Sequence, residues 1–162
     1  MARVAEGNVI SRWGVLTEGL AGKEDRFFDL VKESLQARGW PYPVQAVDVG
    51  GGFFSRGRPY LETKAGKLVA YIGGETIGRD AYVGWSLALA DPSIFKKALA
   101  AAGNFSAAIF QEMSFNEANS ARAFATSLNQ CVQEAVDKLM DEAGLDKSRV
   151  QRETEGLLGR LI

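Results

Sequence analysis

Residues 49–60 read VGGGFFSRGRPY, a stretch whose residue types could hold an anion. Gly50, Gly51 and Gly52 leave backbone N–H groups open to close approach, and Ser55, Arg56 and Arg58 add a hydroxyl and two cations. A backbone nest flanked by arginines binds phosphate or carboxylate without a helix. A phosphate loop of the Walker type needs G-x-x-x-x-G-K-[ST] between a strand and a helix. Here Pro59 and a strand-like run follow, with no lysine, and the pattern is not G-x-G-x-x-G either. The plainer reading is a glycine-rich hairpin connection with exposed arginines, anchored by Phe53 or Phe54.

Other chemistry is sparse. The chain of 162 residues contains no histidine and one cysteine, Cys131. That removes Ser-His-Asp and Cys-His catalysis, histidine-held zinc and haem, and any intrachain disulfide. Glu75 and Asp80 flank a turn with Arg79 and could act as an acid and a base if one were desolvated. A solvated turn pair is the simpler reading. Ser55 and Ser114 lack a histidine to activate them, and Cys131 falls on an apolar helix stripe, which suits a buried, inert thiol. No catalytic residue, metal ligand or cofactor motif is expected, and the balance leans away from an enzyme.

These residues depend on a set of elements that periodicity makes legible. Phe27, Leu30, Val31 and Leu35 recur at helical spacing in residues 23–38, with Glu24 and Asp25 in the first turn and Gly39 as the left-handed stop. Residues 8–16 suggest a short strand. Residues 44–49, 59–64, 67–74 and 81–89 read as strands with short connections, hence antiparallel. On the last of them Val83, Trp85 and Leu87 should meet a helix, while Tyr82, Gly84, Ser86 and Ala88 form a small, polar face that water could cover.

Asp91-Pro92 opens a short helix, 92–102, bearing Ile94, Phe95 and Leu99 beside Lys96 and Lys97. Residues 106–113 are a strand or an extended connection. Ser114 and Glu117 form a capping box ahead of a long helix over 115–143, with Phe124, Leu128, Val132, Val136 and Leu139 in one stripe and Gly144 at its end. Residues 146–162 form a helical turn and then an extended or docked tail.

The expected fold is one α+β domain over 1–162. An N-terminal helix, an antiparallel meander of about four strands, a short helix and a long C-terminal helix across the sheet make two layers.

The stretch 53–87 resembles a loosely defined group of bacterial proteins of no assigned function. That group shares an FS-x-x-R-x-YL strand start, a G-x-x-(F/Y)-V-(S/G)-W hairpin and a C-terminal helix. Phe54-Ser55, Arg58, Tyr60-Leu61, Gly78, Tyr82-Val83 and Trp85 stand in the matching places, and residues 123–145 are similar to the helix. The resemblance implies an α+β fold. Many members carry apolar membrane segments after the tryptophan, but here Asp91, Pro92, Lys96, Lys97 and Asn104 interrupt residues 81–110.

Composition narrows the function classes. A charged fraction of 24% with a net charge of −1 obliges no basic face. Tyr60, Tyr71, Tyr82 and Trp85 on strands therefore read as packing residues rather than a nucleic-acid platform. The N-terminal residues lack the apolar core of a signal peptide, so a cytoplasmic location is expected.

The first expectation is a non-enzymatic binding or assembly module, whose partner is another protein or a second copy. Its candidate contact residues are Ile94, Phe95, Leu99, Tyr82, Gly84 and Ser86. The alternative is an anion-dependent ligand-binding protein or enzyme using Gly50–Gly52, Ser55, Arg56 and Arg58. A further alternative is peripheral membrane attachment through 92–102.

Overall fold

The computed structural model describes residues 9–49, 58–90 and 113–147, and the backbone of 151–156. Its elements run β1 (Val9–Thr17), α1 (Glu24–Ala37), β2 (Val44–Val49), β3 (Arg58–Ala65), β4 (Leu68–Ile77), β5 (Asp80–Leu89), α2 (Phe115–Glu142) and β6 (Gln151–Gly156). This is α+β, with a long C-terminal helix and an antiparallel sheet in the order β2-β3-β4-β5-β1-β6.

The sheet has six strands where the sequence predicts about four. β2 to β5 are the expected meander. The short strand suggested at 8–16 is β1, which joins the meander by pairing with β5, and the unexpected strand is β6, which the tail adds at the far side of β1. β1 reaches β5 across the intervening helix and meander, a pairing that no local pattern announces. The expected short helix at 92–102 and, apart from Met113, the strand or extended connection at 106–113 lie outside the described residues.

α1 forms where the apolar spacing places it. Phe27, Leu30, Val31 and Leu35 are buried, and Gly39 follows with φ +65°, a conformation only glycine adopts without strain. α2 starts at the capping box: Ser114 Oγ accepts from the Glu117 N–H, and Glu117 accepts from the Ser114 N–H at 2.7 Å.

The stripe of α2 (Phe124, Leu128, Val132, Ala135, Val136, Leu139) joins α1 and the inward residues of the strands in one core cluster. Val83, Trp85 and Leu87 of β5 are in it, as their alternation predicts. Burial of this apolar surface is the main source of stability. Polar contacts then fix how the helices meet. Arg26 of α1 grips Glu142 of α2 through Nε (3.0 Å) and Nη2 (2.6 Å), and Ser34 Oγ donates to Glu134 at 2.7 Å. Arg38, just past the end of α1, also reaches Glu134.

Candidate functional site

The strand registers set out the sheet face that lies opposite Trp85 and Leu87. Directly paired residues share a face, so the rows across the sheet can be read from the pairing. One row runs Gly14 (β1), Gly84 (β5), Gly73 (β4), Tyr60 (β3), Val47 (β2). The row on one side is Arg12, Ser86, Tyr71, Glu62, Gln45. On the other side Leu16, Tyr82 and Glu75 are paired, and Arg58, opposite Val49, meets Glu75 through an ion pair.

Three glycines thus stand side by side on three neighbouring strands. At two of them a tyrosine ring from an adjoining strand fills the space of the absent side chain. A Cβ at Gly73 would run into the Tyr60 ring, and one at Gly14 would run into the Tyr82 ring, with Cε1 2.9 Å away. Gly84 differs, because a Cβ there would meet backbone: the Trp13 carbonyl, and Gly14 Cα at 2.7 Å. The two tyrosines lie on glycines as covers, a packing that stabilises sheets with glycine at such positions.

Between the rings lies a trough of about 170 Å³. Gly73 and Gly84 form its floor, and Tyr60, Tyr71, Tyr82, Arg12, Ser86 and Glu75 its walls. The face is not the water-covered surface the sequence suggests. Gly84, Ala88, Val69 and Glu62 on it are buried.

A polar network holds one wall. The Glu62 carboxylate accepts from Gln45 Nε2 (2.7 Å), from Lys64 Nζ (2.9 Å) and from the Tyr71 hydroxyl. Burial pushes the pKa of Glu62 up, but the bonds from Lys64, Gln45 and Tyr71 outweigh it and hold the carboxyl below its usual range. Tyr71 moves the other way, pushed up to about 12 by burial and by the Glu62 charge. The pair therefore rests as carboxylate and neutral phenol, and the Tyr71 ring is fixed as a wall.

A group whose folded pKa is depressed stabilises the fold above its unfolded pKa, and that contribution disappears as pH falls through the folded value. Wild type should therefore melt above Glu62→Gln at neutral pH. The gap should close as pH falls from about 5 to about 3, below the ordinary carboxylate range. Thermal melts of the two proteins at stepped pH check this, and a gap independent of pH would exclude it.

The candidates from the sequence divide in three. Tyr82, Gly84 and Ser86 come together at the trough. Arg58 joins their face, but its guanidinium is ion-paired with Glu75, which raises its pKa. Gly50, Gly51, Gly52, Ser55, Arg56, Ile94, Phe95 and Leu99 lie outside the described residues. Glu75 and Asp80 do not form a pair across a turn. Glu75 sits within β4 and bonds Arg58, while Asp80 begins β5 and accepts from the Gly19 N–H at 3.1 Å. Cys131 is fully buried, and its desolvated thiol has a raised pKa.

Sequence reasoning misses Arg12 in the trough lining, and with it Gly14 under the Tyr82 ring and Glu62 behind Tyr71. Tyr60, Tyr71 and Gly73 are legible as strand residues, but not as one site.

A second hollow, of about 260 Å³, lies between the β3–β4 turn and the start of α2. Tyr42, Leu68, Met113 and Ala121 line it, and Lys67 and Glu117 are ion-paired beside them at 3.1 Å. Its lining is largely apolar. The trough offers more for recognition, with three amphipathic rings, backbone floor and flanking charges. No helix among the described residues is long and apolar enough to cross a membrane. Compared with known proteins, the chain matches no family model, no curated protein and no solved structure.

Proposed function

We propose that this protein is a binding or assembly module that acts by association, through the sheet face that carries the trough. The row Gly14, Gly84, Gly73 with Tyr60 and Tyr82 beside it is the observation that supports this most. In this reading the domain is two-layered, with the helices on one face of the sheet and the partner on the other.

The glycines let the Tyr60 and Tyr82 rings lie down on the sheet, and the trough left between the rings is open to a partner's side chain. Tyrosine supplies a large apolar contact with a polar tip at small entropic cost, which is why it concentrates at binding hot spots. The anion-dependent alternative at 50–58 loses support because Glu75 already neutralises Arg58.

Ser86 is half-buried at the trough wall, where a longer side chain would cross the opening. Ser86→Arg should weaken association by about 2 kcal/mol, roughly thirtyfold in Kd, while leaving the thermal melt near that of wild type. Light scattering on size-exclusion fractions at micromolar concentration, with identification of whatever co-purifies, checks it. A clean monomer with no co-purifying partner would count against the module, as would an assembly unaffected by Ser86→Arg.

A further inference from the structure

Among the described residues the two outermost strands of the sheet differ in kind. β6 reads QRETEG, with one arginine and two glutamates in six residues. β2 reads VQAVDV, with one charge and neither lysine nor proline. A strand at an edge presents unpaired N–H and C=O groups, and charges are one of the ways proteins keep other strands from adding there. Among the described residues β2 pairs on one side only, with β3. Ala46 and Asp48 are exposed.

We infer that β2 pairs antiparallel with β2 of a second copy of this chain, joining two sheets into one. β2 is complementary to itself. A two-fold axis perpendicular to the sheet keeps the same face up in both copies, so only residues of equal parity oppose each other. Two registers overlap most within Val44–Val49. With the axis at Ala46, Ala46 opposes Ala46, Gln45 opposes Val47 and Val44 opposes Asp48. With the axis at Val47, Val47 opposes Val47, Ala46 opposes Asp48 and Gln45 opposes Val49.

In neither register do the two Asp48 carboxylates meet, and the centre is apolar. The same operation on β6 fails. An axis at Glu153 sets that glutamate against itself, and an axis at Thr154 sets Glu153 against Glu155 twice. Like charges directly opposite are destabilising, so one edge accepts its own copy and the other rejects it. The joined sheet would carry two troughs on one side, a bivalent surface for the partner proposed above. The pairing does not depend on what the troughs bind.

Ala46→Asp tests this. In either register the new carboxylate opposes its own copy or Asp48. Because Ala46 is exposed, the monomer fold should survive. Wild type should sediment as a dimer at micromolar concentration, and Ala46→Asp should raise the dimer Kd roughly tenfold. Ala46→Thr, uncharged and suited to strands, should stay dimeric. A monomeric wild type overturns the inference, and so does a dimer unchanged by Ala46→Asp. A dimer that Ser86→Arg dissolves and Ala46→Asp does not would overturn edge pairing and leave the trough reading standing. The reverse pattern supports edge pairing.

Discussion

Gly84→Ala should lower stability by about 3 kcal/mol, seen as a fall in Tm of roughly 10 °C for a chain of this size. An alanine in a strand ordinarily gains a few tenths of a kcal/mol over glycine, because the unfolded chain has less freedom to lose. At Gly84 that gain is overwhelmed. The added methyl would strike the Trp13 carbonyl and approach Gly14 Cα to 2.7 Å, and both belong to the backbone of the neighbouring strand. Backbone cannot rotate aside as a side chain can, so β1 and β5 must separate along their paired length.

Gly73→Ala provides the comparison. Its methyl meets the Tyr60 ring, which can swing outward, and the cost should be nearer 1 kcal/mol. The order of the two melting temperatures is therefore the decisive reading. If Gly84→Ala melts with wild type, the close approach of the two strands is wrong.

That contrast also shows where sequence reading stops. α1 and α2 are legible because their signals are local. Phe27, Leu30, Val31 and Leu35 repeat at helical spacing, and Ser114 and Glu117 lie three residues apart in one capping box. The alternation in β5 likewise predicts which side meets the helices, and Trp85 and Leu87 lie in the core.

The trough has no such signal. Gly14 and Gly84 lie seventy positions apart in the sequence, and only the β1–β5 register brings them side by side. Glu62 falls in the expected strand 59–64, but nothing local marks it as buried among Gln45, Lys64 and Tyr71, which converge on it from three strands. β6 lacks apolar alternation altogether. Its place rests on backbone pairing with β1, which residue types do not encode.

The second large effect is expected at the buried contact between Trp85 and Asn129. The indole Nε1–H donates to Asn129 Oδ1 at 3.0 Å, and both residues are buried. Asparagine is a modest helix former, and Asn129 interrupts the otherwise apolar buried stripe of α2, so the acceptor has a specific use there. It ties the helix to β5 at the residue beside Gly84, so the core side of that strand is fixed where its other side forms the trough floor.

Asn129→Leu leaves the indole N–H buried without a partner and should cost about 2 kcal/mol. Trp85→Phe orphans the amide and opens space, and should cost about 3 kcal/mol. The double variant removes donor and acceptor together, so it should be less damaging than the two singles added, by about 1–2 kcal/mol. Urea unfolding followed by circular dichroism measures all four proteins. If the two costs simply add, within about 0.5 kcal/mol, the bond does not couple helix to sheet. A coupling of the expected size would mean that the polar pair holds α2 in register on β5, a task that the apolar stripe, being non-directional, cannot perform alone.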